Sequence, residues 1–217
     1  MEKIRKPRVL LTGFTPFGGE TVNPALEAVN RVRCPEAELR ILEVPTVFGD
    51  SARLVTAEMD AFRPDVVLCV GQAAGRSAVT PERVAINVDD ARIPDNAGQQ
   101  PVDAPIVPGG PAAYFATVPV KDMVRAIREA GVPSELSNSA GTYVCNHLMY
   151  GLLYHIQRSF PGVRGGFIHV PFLPQQVEQK PGTPSLPLDD MVQAILIAIE
   201  TCVNTQQDVH TAEGAEH

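Results

Sequence analysis

Short apolar runs alternate with helical repeats along the chain. Residues 8–14 (RVLLTGF) and 65–71 (DVVLCVG) show the continuous hydrophobicity of strands that are covered on both faces. Weaker strand patterns cover 39–45, 83–88 and 165–171, and helical spacing covers 24–32, 51–62, 120–131, 145–157 and 188–203. This alternation predicts an α/β fold in one domain, with a layered and partly parallel sheet.

Two segments interrupt this alternation. Residues 91–115 and 171–188 are rich in proline and glycine, and connections of that length in a compact domain are usually lids, binding loops or subunit contacts, or are disordered. Beyond a domain over residues 1–204, the polar residues 205–217 predict a solvated C-terminal tail.

Composition excludes several classes of protein. The chain has 217 residues, 44% hydrophobic and 20% charged, as a globular protein does, and its net charge of −7 argues against nucleic acids and acidic membranes as partners. No run approaches the roughly 20 apolar residues of a membrane-spanning helix. The apolar patch near the start is broken by Gly13 and Pro16, which makes it a poor signal peptide and favours a cytoplasmic protein.

Neither a disulfide framework nor a bound cofactor is expected. The four cysteines are widely spaced without a C-x-x-C pair and are interpreted as free thiols, and no cluster of metal ligands is apparent. The glycine-containing stretch 12–20 follows a predicted strand, as a phosphate loop does. Gly18 is followed by Gly19 and Glu20, however, where a phosphate loop needs lysine.

Cys145 lies in the first turn of a predicted helix. A free cysteine is often simply a buried hydrophobic residue, and Cys69, within a strand, and Cys202, near the end of an apolar helix, suit that role. At a helix N-terminus the positive end of the dipole is expected to lower the thiol pKa, and the backbone N–H groups can receive an oxyanion. Position therefore favours Cys145 as a nucleophile.

A nucleophilic cysteine needs an imidazole base. His155 lies ten residues beyond Cys145 on the same helix, about 15 Å along its axis. His147 follows Cys145 by two residues, about 200° around the helix, so its side chain points away from the thiol. The other two excluded histidines fall in the tail, at His210 and His217. His169, near the end of a predicted strand, becomes the favoured base, because active sites of α/β sheets gather at that edge.

The group that orients the imidazole is not determined by spacing. The segment 80–96 offers four carboxylates, and a surface position is the ordinary interpretation of each: Glu82, Asp89, Asp90 and Asp95.

Four motifs resemble the pyrrolidone-carboxyl peptidase (type I pyroglutamyl peptidase) family of cysteine peptidases. They are VLLTGFTPFGGETVNP (9–24), GQAAGRSAVTPERVAIN (71–87), SNSAGTYVCNH (137–147) and IHVPFLPQQ (168–176). The resemblance runs from residue 8 to about residue 200 with the motifs in the family's order. It implies an αβα sandwich, assembly into dimers or tetramers, no cofactor, and peptides with an N-terminal pyroglutamyl residue as substrates.

The resemblance also implies roles for individual residues. Cys145 would be the nucleophile, His169 the base and Glu82 the orienting group, with Arg92 near the oxyanion. The residues expected to bind the substrate ring are Phe14, Phe17, Asn23, Gln72 and Tyr143. Tyr143 stands where the family often has Phe, so its hydroxyl needs a hydrogen-bond partner.

A pyroglutamyl ring is a neutral lactam, which suits aromatic walls and a few polar atoms. Two other hypotheses remain open at this point. A cysteine amidase of different specificity would be distinguished by substrate profiling. A binding module without turnover would show no reactive thiol.

Overall fold

The computed structural model of the protein describes residues 5–214. Residues 1–4 and 215–217, which include His217 and the end of the predicted tail, lie outside the described residues.

The described chain alternates strands and helices. The strands are β1 (Arg8–Phe14), β2 (Glu38–Val44), β3 (Val66–Gln72), β4 (Thr80–Pro81), β5 (Val84–Ile86), β6 (Ala113–Phe115) and β7 (Arg164–Val170). The helices are α1 (Pro24–Arg31), α2 (Asp50–Phe62), α3 (Val120–Glu129), α4 (Val144–Ser159), α5 (Pro174–Val177) and α6 (Leu188–Asn204). All five helices predicted from spacing are present within a few residues of their expected bounds.

A mixed sheet forms the centre of the molecule, in the order β2-β1-β3-β7-β4. The first four strands are parallel, and the two-residue β4 pairs with β7 in the antiparallel sense. The predicted α/β class with a partly parallel sheet is confirmed.

Helices cover both faces of this sheet, because successive side chains of a strand point to opposite sides. Val9 and Leu11 of β1 pack in one core with α1, α3 and α6. Leu10 and Phe14 of the same strand pack in a second core with α2 and α4. The result is the three-layer αβα sandwich that the resemblance implied.

Three short elements were missed by the sequence patterns. β4 and α5 are too brief for a periodic signal, and β6 lies in the segment 91–115 that was predicted as loop. The strand predicted over 83–88 is shorter, Val84–Ile86, and pairs with β6 in a separate two-stranded sheet.

The tail predicted from residue 205 contacts α3 over its described part. Residues 205–214 form no helix or strand and most are exposed. The Asp208 carboxylate nevertheless accepts hydrogen bonds from the backbone N–H groups of Lys121 and Asp122, and Glu213 pairs with Arg128 at 3.0 Å. Within residues 5–214, no helix is both long and apolar enough to cross a membrane.

Candidate active site

The carboxyl ends of β3 and β7 meet at one edge of the sheet. Parallel register places Gly71 beside His169 and Gln72 beside Val170. Polar side chains at the ends of the two strands are thereby collected at one place, as in other open α/β sheets.

Cys145 is the second residue of α4 and approaches this edge from the helix layer. Gly141, at φ +79°, turns the chain just before the helix in a conformation that favours glycine. The sulfur lies against β3, since a Cβ atom placed on Gly71 would lie 3.0 Å from Cys145 Sγ. Absence of a side chain at residue 71 therefore makes room for the thiol.

His169 and Glu82 form a buried pair. The imidazole Nδ1 lies 2.7 Å from Glu82 Oε1, and the two residues are 3% and 0% exposed. Glu82 follows β4, and its N–H donates to the carbonyl of Phe167 at 2.9 Å, which fixes the carboxylate against β7. Because a carboxylate accepts hydrogen bonds, Nδ1 carries the proton and Nε2 remains free to act as a base.

Arg76 is a member of this cluster that sequence reasoning missed. Its Nη1 donates to Glu82 Oε1 at 2.5 Å and also to Thr80 Oγ1, and its Nη2 donates to the Ser139 carbonyl at 3.1 Å. Burial favours the neutral carboxyl, but the hydrogen bond from His169 and the charges of His169 and Arg76 outweigh it and lower the pKa of Glu82. A signal was available, because a buried acid needs a cation and Arg76 lies six residues from Glu82 in the same motif.

The Cys145 thiol has a raised pKa rather than the lowered one expected from its helix position. Burial comes first and the Glu82 charge second in raising the pKa of Cys145 to about 12, while the Arg76 charge opposes them. The expectation of a lowered pKa for Cys145 is therefore wrong. Desolvation of the thiolate outweighs the dipole, and the thiol is protonated until a base removes its proton.

The N-terminus of α4 is open toward a ligand. Tyr143 is the N-cap residue and makes no side-chain capping hydrogen bond. The first N–H groups of a helix have no carbonyl partner within the helix, so those beside Cys145 can receive a developing negative charge.

A single cavity brings most of these groups together. Its lining residues are Phe17, Gln72, Ala73, Ala74, Arg76, Ser139, Ala140, Gly141, Tyr143, Cys145 and His169. The rings of Phe17 and Tyr143 form one wall, with centroids 6.0 Å apart. The Tyr143 hydroxyl donates to the Pro94 carbonyl at 3.0 Å, which supplies the partner it needs.

Three of the residues expected near the substrate lie elsewhere. Phe14 is 2% exposed and packs behind the site against Phe167, with ring centroids 6.2 Å apart. Asn23 is the N-cap of α1, its Oδ1 accepting from Ala25 N and its Nδ2 donating to Thr15 O. Arg92 is exposed on an adjoining cavity, which shares Gly141 and Tyr143 with the first.

The two histidines of α4, His147 and His155, face away from this cavity. His147 Nδ1 lies 2.8 Å from Asp89 Oδ2, and its Nε2 accepts from Gly49 N at 3.0 Å. His155 packs at a tilt against Phe160, with ring centroids 5.2 Å apart. No group of three or more potential metal ligands occurs within residues 5–214.

Comparison with known proteins extends over almost the whole chain. The family model described as pyroglutamyl peptidase matches residues 7–205. A pyrrolidone-carboxylate peptidase of Levilactobacillus brevis is 57% identical over 203 residues, covering 93% of this chain and 100% of the relative. One from Clostridium botulinum is 50% identical over 209 residues, covering 95% and 98%. The crystal structure of pyroglutamyl peptidase I from Bacillus amyloliquefaciens matches with a TM-score of 0.93 at 48% identity, covering 96% of this chain and 100% of that one.

Proposed function

The chain belongs to the pyroglutamyl peptidase family, and we propose from that premise that Cys145, His169 and Glu82 are its catalytic residues. The family removes N-terminal pyroglutamate from peptides by a cysteine peptidase mechanism. The observation that carries the assignment is the buried 2.7 Å contact between His169 Nδ1 and Glu82 Oε1 beside the cavity that Cys145 also lines.

In the proposed first step the Cys145 sulfur attacks the carbonyl carbon that follows the pyroglutamyl ring. His169 Nε2 takes the thiol proton as the bond forms, because the raised pKa of Cys145 leaves little thiolate beforehand. Glu82 holds the orientation of the His169 imidazole and stabilises the imidazolium that forms. The N–H groups at the start of α4 receive the oxyanion.

In the second half the peptide amine leaves with the proton held by His169. Water, deprotonated by the same imidazole, then attacks the carbonyl carbon of the acyl-enzyme; the carbon–sulfur bond breaks, pyroglutamate is released and the imidazolium returns its proton to Cys145 Sγ. Both halves use one base with a fixed Nδ1 tautomer, so a change that loosens the contact between Glu82 and His169 slows both.

Recognition of the ring follows from the lining of the cavity. Phe17 and Tyr143 offer flat apolar surfaces to a neutral lactam, and Gln72 offers an amide. A substrate with a free N-terminal ammonium would have to bury a charge in this site, which is costly without a partner.

The remaining family-based roles are part of the proposal. Arg92 is proposed to approach the oxyanion from the adjoining cavity that it borders. Phe14 would support the ring site from behind, and Asn23 would hold the loop that carries Phe17 through its bond to Thr15 O.

We also propose a homo-oligomer, a dimer or tetramer, in the cytoplasm, with residues 1–204 as the peptidase domain. The apolar side chains of Phe115 and Val102 are 67% and 71% exposed in the single chain. Their exposure supports a surface that a second subunit covers in the assembly. Four free cysteines support a reducing compartment. Light scattering would measure the assembly, and a monomer at micromolar concentration would contradict it.

The function is tested with matched pyroglutamyl, prolyl and glutaminyl fluorogenic amides. We expect kcat/KM for the pyroglutamyl amide to exceed that for the prolyl and glutaminyl amides about 10³-fold. These two substrates leave buried polar groups of the site without hydrogen-bond partners. Similar values for all three would favour an amidase of different specificity.

The catalytic roles are tested with Cys145→Ser, His169→Ala and Glu82→Gln, with Cys34→Ser as the matched cysteine control. Cys145→Ser and His169→Ala should lose nearly all activity. Glu82→Gln should retain more, because the amide keeps one acceptor for the imidazole. Wild-type kinetics in the His169 variant would refute the assignment of the base.

A further inference from the structure

Gln176 is a buried amide that contacts the cavity residue Gln72 from outside the proposed catalytic residues. It lies on α5, in the segment 171–188 that was predicted as a loop, and is 8% exposed. Its Oε1 accepts a hydrogen bond from Leu173 N at 2.9 Å. Its Nε2 faces Glu20 Oε2 at 3.1 Å, Val22 O at 3.4 Å and Gln72 Oε1 at 3.2 Å.

Chemistry fixes which way the Gln176 amide points. A backbone N–H only donates, so the atom of Gln176 facing Leu173 has to be the oxygen. The Val22 carbonyl only accepts, and so does an ionised Glu20. The hydrogen bond from Lys180, whose Nζ lies 2.6 Å away, outweighs burial and lowers the pKa of Glu20. Three neighbours therefore agree that Gln176 Nε2 is the donor.

The orientation of Gln176 dictates that of Gln72. A donor at Gln176 Nε2 requires an acceptor opposite, so Gln72 turns its Oε1 toward α5. Its Nε2 is the end that remains, and within residues 5–214 it has no acceptor. Gln72 is also one of the residues that line the cavity together with Cys145 and His169.

We propose that Gln176 is a positioning residue that sets the polarity of Gln72, so that the site presents a hydrogen-bond donor to the carbonyl oxygen of the substrate ring. This inference rests on the proposed function and deepens it. A lactam ring carries that acceptor and a proline ring does not. The specificity of the cavity is thus partly determined by a residue that has no contact with the substrate.

The decisive variant is Gln176→Glu. A carboxylate still accepts from Leu173 N but has no proton to donate to Gln72. The Gln72 amide should therefore reverse, donate its Nε2 to the new carboxylate and turn its oxygen into the cavity. We expect KM for a pyroglutamyl amide to rise about 10- to 100-fold, with a much smaller change in kcat, because the loss is in ring binding.

Neighbouring residues supply the controls. Gln175→Glu makes the same charge change on the same helix at an exposed position, and KM should stay within about twofold. Gln176→Met removes the donor without adding a charge beside Glu20, so it should raise KM even if the carboxylate variant fails to fold. In a Gln72→Leu background, substitution of Gln176 should have no further effect on KM, a non-additivity that a merely structural role would not produce.

Binding of 2-pyrrolidone, the bare five-membered lactam, is measured by calorimetry apart from turnover. Weaker binding in Gln176→Glu and Gln176→Met, with unchanged binding in Gln175→Glu, supports the inference. Unchanged lactam binding and KM in both Gln176 variants, or equal effects in the Gln72→Leu background, would overturn it while the proposed function stands. A wild-type protein that cleaves no pyroglutamyl amide would refute the proposed function instead.

Discussion

The Glu82 carboxylate concentrates two charge-assisted hydrogen bonds on a single oxygen, one from His169 and one from Arg76. At the residue scale this makes Arg76 a partner of the proposed triad. Its charge lowers the pKa of Glu82 and also opposes the rise in the pKa of Cys145. Arg76 should therefore influence the ionisation of both Glu82 and Cys145 without itself transferring a proton.

Replacing Arg76 by Met should lower kcat/KM at pH 7 about 10- to 100-fold, the usual cost of a lost hydrogen bond to a charged group. With the cation gone, the pKa of Glu82 rises toward its ordinary value, so the acidic limb of the pH profile should move to higher pH. Alkylation of Cys145 by iodoacetamide should need a higher pH, because the opposing charge is removed.

Arg76→Lys and Arg83→Met are the matched controls. Lysine keeps the charge and should preserve most of the acidic limb. Arg83, the half-buried residue next to Glu82, lines a different cavity, and its variant should retain wild-type profiles. A wild-type pH profile in Arg76→Met would contradict the electrostatic role.

Sequence reasoning reached Cys145 and His169 because helix position and strand ends carry a local signal. It left Glu82 among four acids, since the choice depends on pairing with β7, which lies more than 80 residues away. Arg76 was missed although it lies six residues from Glu82, because its pairing becomes evident only once Glu82 is known to be buried; its other partner, Ser139, comes from a distant segment. Contacts between remote segments leave no period in the sequence.

At the scale of elements, two glycines of the β3–β7 ladder serve different purposes. A Cβ atom at Gly71 would lie 2.9 Å from the Phe167 ring and 3.0 Å from Cys145 Sγ, whereas one at Gly166 would lie 2.3 Å from a methyl group of Val118. Gly71→Ala should displace the sulfur and lower kcat about tenfold or more, because small misplacements of reacting atoms are costly.

Gly166→Ala is the comparison for that prediction, because it should mainly lower the free energy of unfolding through overpacking, typically by about 1–3 kcal/mol. Its kcat per folded molecule should stay close to the wild-type value. Urea unfolding and active-site titration separate the two effects. A Gly71 variant with full kcat would show that the thiol tolerates displacement.

The start of α4 is anchored by His147. This side chain joins Asp89 to the backbone of Gly49, and within the described chain Asp89 Oδ1 has no hydrogen-bond partner. His147→Leu leaves the buried carboxylate without its donor and should lower the free energy of unfolding by about 2–4 kcal/mol.

His155→Leu on the same helix is the matched control for His147→Leu. The His155 Nε2 is buried without a partner in the described chain, so leucine should change the free energy of unfolding by less than about 1 kcal/mol. Equal losses in the two variants, measured by urea unfolding, would contradict the anchoring role of His147.

For the whole molecule, the hydrophobic pattern predicted the layers because each strand and helix has its own period. It could not predict β4 or α5, yet Glu82 directly follows the two-residue β4 and Gln176 lies on the four-residue α5. Both gain their place from tertiary contacts rather than from propensity. Cys145 and His169 thus come from elements that periodicity predicts, whereas Glu82 and Gln176 come from segments that it describes least.

Burial raises the pKa of three thiols to about 12, those of Cys69, Cys145 and Cys202. In the unfolded chain a thiol ionises near pH 9, so between about pH 9 and 12 the unfolded state releases protons that the folded state keeps. The free energy of unfolding should therefore be unaffected by these groups below pH 9 and fall as pH rises, by roughly 1 kcal/mol per pH unit for each thiol. Cys69→Ala and Cys202→Ala should each remove about a third of this thiol-dependent slope, while the ionisation of tyrosines and lysines is common to all variants. Urea unfolding between pH 8 and 10.5 in the presence of a reductant measures the slopes. Identical slopes in the wild type and both variants would contradict the raised pKa of these thiols.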